Sequence, residues 1–208
     1  MRTGLFDVPP SVLACGAVSE AELLDRLRAG DEEAFATIVR AHHTSLCRLA
    51  RSFVGSGAVA EEVVQDTWLA VVRGVDRFEG RSSLRTWLFH ILVNRARTTA
   101  SRERRTESGP DPDADRFDGV GVWSAPPVPW SELADDRLAA EQVVALAREL
   151  LETLPEAQRQ VVVLRDVEGL SASEVTELLG ISDGNQRVLL HRGRARLRAG
   201  LEGKLGTR

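Results

Sequence analysis

Residues 77–105 read RFEGRSSLRTWLFHILVNRARTTASRERR, and the spacing inside that run decides that the chain is helical. Leu84, Trp87, Leu88, Ile91 and Leu92 recur at i, i+3, i+4, i+7 and i+8. That spacing gathers them on one stripe of an α-helix and turns the stripe towards a core. The preceding loop, Glu79-Gly80-Arg81-Ser82, offers a glycine for a tight turn and a serine able to accept from the first free amides of the helix. Asn94, Arg97 and Ser101 lie on the opposite face, and residues 95–105 hold five arginines against one glutamate, a net +4. Arginine pairs with phosphate and asparagine hydrogen-bonds base edges, so this face suits a nucleic acid. It equally suits a solvated helix end whose arginines complement the helix dipole.

The helical period continues on the N-terminal side of this run. Residues 1–18 contain two prolines and no sustained period, and are read as a mobile extension. Ser19-Glu20-Ala21-Glu22 is a capping-box pattern ahead of Leu23, Leu24 and Leu27, with Gly30 as the stop and Asp31 as the next cap. Phe35, Ile38, Val39, His42, Leu46, Leu49 and Phe53 then hold a helical period up to Gly55-Ser56-Gly57. Those glycines faintly imitate a dinucleotide fingerprint, which requires a preceding strand and here follows a helix. His43 and Cys47 stand four apart, a spacing that a metal pair and an ordinary helix surface share, and no further ligands accompany them. The next helix, Val59 to Val75, stacks Val59, Val63, Thr67, Val71 and Val75 on one stripe with Trp68 beside it. Glu61, Glu62, Gln65, Asp66, Leu69 and Arg73 occupy its other side. Carboxylates used in acid–base chemistry need a pocket that separates their pKa values. An acidic stripe broken by an outward leucine is instead a docking surface for basic helices or a solvated face.

On the C-terminal side, residues 106–134 are rich in Pro, Gly and Asp and have no period, the composition of a flexible tether with Phe117, Trp123 and Trp130 as apolar anchors. Leu138 to Leu154 resumes the helical period through Val143, Ala147, Leu150 and Leu151, and Pro155 is suited to N1 of the next helix. Ala157, Val161, Val162 and Leu164 are its expected buried residues and Gly169 its stop. Ser171-Ala172-Ser173-Glu174 is a second capping box, Val175, Leu178 and Leu179 face inward, and Gly180-Ile181-Ser182 is a short turn before another helix. That is helix-turn-helix spacing. At about 100° per residue, Leu189, Leu190, Gly193, Leu197 and Leu201 fall on one side of the last helix. Arg187, Val188, His191, Arg192 and Ala195 then face a major groove, flanked by Arg194, Arg196 and Arg198 at phosphate positions.

Composition sets outer bounds. The chain has 208 residues and a net charge of −4, enough for two small helical domains. The charge is uneven: +2 over residues 19–105, −6 over 106–140 and +6 over 187–208. Two cysteines, Cys15 and Cys47, make neither a zinc pattern nor a disulfide framework. The sequence has no apolar run near the roughly 18 residues of a membrane span and no signal-peptide pattern, so a soluble cytoplasmic protein is expected, without membrane insertion.

Residues 60–97, AEEVVQDTWLAVVRGVDRFEGRSSLRTWLFHILVNRAR, resemble regions 2.2 to 2.4 of the extracytoplasmic-function (ECF) RNA polymerase sigma factors, group IV of the sigma-70 family. Residues 154–198, LPEAQRQVVVLRDVEGLSASEVTELLGISDGNQRVLLHRGRARLR, are similar to region 4 of the same family. The resemblance implies an all-α protein of two small helical domains: a region 2 bundle over 19–105, a linker over 106–134 and a region 4 helix-turn-helix domain over 135–208. It implies that Glu61, Glu62, Gln65, Asp66, Leu69 and Arg73 dock on core RNA polymerase, through its β and β′ subunits. By the same resemblance Gly80, Arg81, Ser82, Ser83, Trp87, Asn94 and Arg97 capture the −10 element, and the linker threads the polymerase channels. Arg187, Val188, His191, Arg192, Arg194 and Arg198 read the −35 element. Promoter DNA and an anti-sigma factor, where one exists, complete the implied partners. No cofactor, metal or catalytic residue is expected. The sequence departs from the family after Gly184, where Asn185 and Gln186 stand in place of a threonine and an aliphatic residue, and Gln186 falls on the core side. Val188 and Leu189 also replace positions that are usually polar or basic. A stand-alone helix-turn-helix regulator binding operators as a dimer is the rival reading. A nuclease is a poorer one, because the sequence offers no plausible carboxylate cluster or histidine pair.

Overall fold

The structure, a computed structural model, describes residues 19–106 and 137–205. The N-terminal extension and most of the linker, with Phe117, Trp123 and Trp130, lie outside the described residues. Eight α-helices make up the described architecture, with no strand among them: α1 (Glu20–Arg28), α2 (Glu32–Arg51), α3 (Gly57–Gly74), α4 (Leu84–Thr106), α5 (Arg137–Glu152), α6 (Glu156–Val162), α7 (Ala172–Leu179) and α8 (Asp183–Leu205). A 3₁₀ turn, Val75–Arg77, follows α3, and one π turn, Val163–Val167, follows α6.

In the first half, caps fix where helices begin. Ser19 Oγ accepts from Glu22 N, and Asp31 accepts from Glu33 N and Ala34 N while pairing with Arg26 at 2.7 Å. The bond from Arg26, followed by that from Ala34 N, holds the Asp31 carboxyl below its ordinary value. The predicted apolar stripes are the buried ones. Ile38, Leu46, Leu49, Thr67, Val71, Leu88 and Leu92 are fully enclosed, and Trp68 packs edge-on to Phe35 with ring centroids 5.8 Å apart. Phe89 is the largest fully buried side chain. It lies outside the stripe read from sequence, because α4 is packed on more than one side: by α2 and α3 on one, by α7 on another.

In the second half, α6 and α8 pack most closely, and glycine permits it. A Cβ at Gly193 would sit 2.6 Å from Val162 Cγ2 of α6, and where α5 crosses α8 one at Gly200 would sit 2.7 Å from Leu150 Cδ2. Two details of α6 differ from the sequence reading. Pro155 is the N-cap rather than N1, since its extended ψ keeps it outside the helix. Ala157 is exposed, and the buried polar pair Gln158 and Gln160 takes the inward positions. The end of α6 widens into the π turn, where Glu168 N donates to Val163 O at 2.8 Å, and Gly169 at φ +69° then reverses the chain.

Candidate nucleic-acid interface

The loop ahead of α4 is tied down at both ends. Arg28 of α1 donates to Phe78 O at 2.7 Å, and Glu20 of α1 accepts from Leu84 N at 2.7 Å, capping α4 from a distant helix. Ser83 Oγ accepts from Thr86 N at 3.1 Å, so the capping serine is Ser83. Between these anchors Gly80 takes φ +71°, a left-handed conformation that suits glycine, and Arg81 pairs with Glu79 at 3.0 Å. Gly80, Arg81, Ser82 and Ser83 are all exposed. Trp87 is half-buried against Phe78, their ring centroids 4.8 Å apart. Asn94 is exposed, with Thr98 Oγ1 bonded to its backbone carbonyl, but at seven residues, or two turns, beyond Trp87 it lies at the edge of the apolar stripe beside Trp87 rather than on the opposite face expected from sequence. Arg97 is exposed as well, but its guanidinium donates to Leu179 O of α7.

The side of α3 away from the core presents Glu61, Glu62, Gln65, Asp66, Leu69 and Arg73 to solvent. Asp66 lies 3.6 Å from Arg95 of α4. Leu69 and Val72 are each 54% exposed, an apolar step beside the acidic rows. Val72 was not among the sequence candidates. Its signal was available in its place three residues after Leu69, which puts it on the same outward face.

In the second half, α7 and α8 form the helix-turn-helix. Ser171 and Glu174 complete both halves of a capping box, and Gly180 at φ +66° ends α7. The bond from Ser171 to the Glu174 carboxylate holds that group below its ordinary value. Leu189, Leu190, Gly193, Leu197 and Leu201 face inward. Gln186 does too: it is 1% exposed and its amide Nε2 has no hydrogen-bond partner. Arg187, Val188 and His191 are exposed on the opposite side, Arg192 and Arg198 half-buried. Arg187 pairs with Asp183 one turn back. Arg194 meets both oxygens of Asp166 from the π turn, a bond that binds its proton more firmly and holds the side chain against its own domain.

The family model described as Sigma-70 region 2 matches residues 38–106, and that described as Sigma-70, region 4 matches residues 145–197. The ECF RNA polymerase sigma factor SigM of Mycobacterium tuberculosis (strain ATCC 25618 / H37Rv) is 33% identical over 208 residues, covering 96% of this chain and 97% of that protein. The chain belongs to the ECF sigma factors. It is a transcription initiation factor, and the rival reading as a stand-alone operator-binding regulator is not favoured. The ECF RNA polymerase sigma-E factor of Escherichia coli (strain K12) is 28% identical, across 85% of this sigma factor and 91% of its own length. Two solved structures share the fold. CnrH, in complex with the cytosolic domain of CnrY, superposes with a TM-score of 0.54 at 28% identity, over 87% of this chain and 96% of the other. The Bartonella quintana sigma factor RpoE, in complex with the anti-sigma factor NepR, gives 0.57 at 26% identity, over 81% and 96%.

Among the described residues, no group of three or more His, Cys, Asp or Glu is placed to hold a metal ion. His43 and Cys47 do approach to 3.5 Å, with Trp68 Nε1 donating to His43 Nδ1 at 3.3 Å, an arrangement of hydrogen bonds on a helix surface. No described helix is long and apolar enough to cross a membrane.

Proposed function

We propose that this sigma factor divides initiation between three surfaces, with no catalytic chemistry of its own. The α3 face of Glu61, Glu62, Gln65, Asp66, Leu69 and Arg73 docks on the β and β′ subunits of core RNA polymerase. Carboxylates placed around an exposed leucine supply steering charge and an apolar contact in one patch. The loop Gly80–Ser83, with Trp87, Asn94 and Arg97, captures an unstacked base of the −10 element. Extruding a base costs a few kcal/mol, so a site that holds one stabilises opened DNA by binding alone. The first turns of α8 read the −35 element through Arg187, Val188, His191 and Arg192, with Arg194 and Arg198 at phosphates after Arg194 leaves Asp166. The working units are residues 19–105, 106–134 and 135–208, in the cytoplasm, with promoter DNA as the nucleic acid. The anti-sigma factor NepR in complex with the Bartonella quintana relative supports a partner of that class here.

The observation that carries the −10 assignment is the rigid loop held by Arg28 and Glu20 next to the half-buried Trp87 and the exposed Asn94. A preorganised rim of this kind stabilises a flipped base without first being ordered itself. Asn94→Ala should lower open-complex formation, read as permanganate reactivity of −10 thymines, several-fold more than it lowers recruitment of holoenzyme to duplex promoter. Equal losses in both steps would remove Asn94 from base capture.

A further inference from the structure

Helix α8 carries an aliphatic side chain where its own domain has no use for one. Leu69, Val72 and Val188 are the large apolar side chains left exposed among the described residues, and Val188, at 45% exposure, stands apart from the other two on the outward side of α8. At about 100° per residue, the buried residues Gln186, Leu190, Gly193 and Leu197 centre almost diametrically opposite Val188. Val188 is therefore the midline of the face turned away from the core, with Arg192 about 40° to one side and His191 about 60° to the other.

A lone exposed valine is ordinary on a protein surface. Its setting makes this one informative. Valine is a poorer helix former than alanine, leucine or arginine, so helix stability does not favour it at an exposed site. Gly184, one turn earlier on the same face, is as little explained by the fold. It lies in α8 without the positive φ of Gly30, Gly80, Gly169 and Gly180, and a Cβ there would meet nothing within 4 Å. Glycine lets the backbone come close to a ligand. A missing side chain one turn before a short aliphatic one leaves a shallow, uncharged strip along the helix. Arginines flank it, in a segment, residues 187–208, of net charge +6.

We propose that Val188 is a specificity-determining residue that seats against the C5-methyl group of a thymine in the −35 element. The inference deepens the −35 reading above and rests on it. The floor of the major groove presents donors and acceptors, and the thymine methyl is the apolar group among them. An isopropyl group pressed on a cytosine amino group, or on the N7 and O6 of guanine, would strip water from those atoms and return no hydrogen bond. Against a thymine methyl it removes two apolar surfaces from water at once. Arg187, His191 and Arg192 then meet polar base edges and phosphates to either side, so one helix face specifies a thymine together with its neighbours.

The test uses holoenzyme reconstituted from the full chain and core polymerase. Selection from duplex promoters randomised across the −35 element first defines the preferred sequence. Each thymine of that element, on either strand, is then replaced singly by deoxyuridine, which keeps the pairing and O4 and lacks only the C5-methyl. At one thymine, or at two adjacent ones, the replacement should weaken holoenzyme binding about fourfold, the effect of one methyl-sized group returning to water. The same replacement should leave holoenzyme carrying Val188→Ala unaffected, because a contact already lost cannot be lost again. Val188→Ile, which keeps the apolar contact, should keep the deoxyuridine effect. Both variants should retain the helical circular-dichroism signal, since the site is exposed.

A preferred element without thymine, or one in which no deoxyuridine weakens binding, overturns the proposal. So does a deoxyuridine effect that persists undiminished in V188A, which would assign the methyl to another side chain. Failure of the −35 reading itself shows separately, as an Arg187→Ala holoenzyme whose sequence preference across the element is unchanged. If the methyl contact alone is wrong, Arg187→Ala still flattens that preference.

Discussion

Gln186→Leu is the substitution for which packing and recognition make opposite demands. Gln186 is fully enclosed in the first turns of α8, and its amide nitrogen has no partner. An unpaired buried amide is unfavourable by about 1–3 kcal/mol on the scale of protein substitutions. Leucine removes that donor and keeps comparable helix propensity. It is branched and slightly larger, and refitting the core around it gives back roughly 1 kcal/mol. The expected net effect is a gain of about 1 kcal/mol, which for a domain of this size raises Tm by roughly 4–8 °C. Thermal unfolding followed by circular dichroism measures that gain. A library randomised across the −35 element, transcribed with core polymerase, measures preference, which should not change because the side chain faces the core. A Tm lowered by several degrees would mean that the amide is satisfied and contributes to stability. A changed −35 preference would mean that α8 presents a different face to DNA, and the roles of Arg187, His191 and Arg192 would have to be reassigned.

Reversing charge at Glu62 and Asp66 together should weaken binding to core polymerase by about tenfold or more while leaving the helical signal intact, because both are exposed on α3. Unchanged affinity by a pull-down titration would move the docking surface elsewhere. Arg187→Ala should flatten preference at one or two −35 positions by about 1–3 kcal/mol, the value of one bidentate arginine–guanine contact. Arg198→Ala should instead weaken all promoters alike and reduce the salt slope of binding by about one unit, and a sequence-dependent loss there would argue for a base contact. Gly193→Ala should destabilise the second domain by about 1–3 kcal/mol, since the added methyl meets Val162 Cγ2 at 2.6 Å where α6 and α8 cross. Wild-type stability in urea unfolding would show that the crossing can widen.

What could be read in advance divides by the sequence distance over which each feature is determined. The stripes of α2, α3 and α8 follow from residues three and four apart, and the caps at Ser19, Asp31 and Ser171 from residues within one turn, so they are legible locally. The exposed candidates on α3 and α8 were legible for the same reason, being what remains once the apolar stripe is turned inward. Pro155 was misplaced by one position because a proline at N-cap and a proline at N1 satisfy the same missing donor, and only ψ tells them apart. Glu168 had no local signature. It lies between Val167 and Gly169, where a carboxylate before a glycine stop reads as an ordinary exposed helix end. Its burial depends on Arg85 and Arg48, 83 and 120 residues away, and on a π turn that shifts it off the face an α-helix would have given it. The same holds for Arg97. The sequence reading put it on the polar face of α4, but its bond to the end of α7 joins residues 82 apart, which no local pattern reveals.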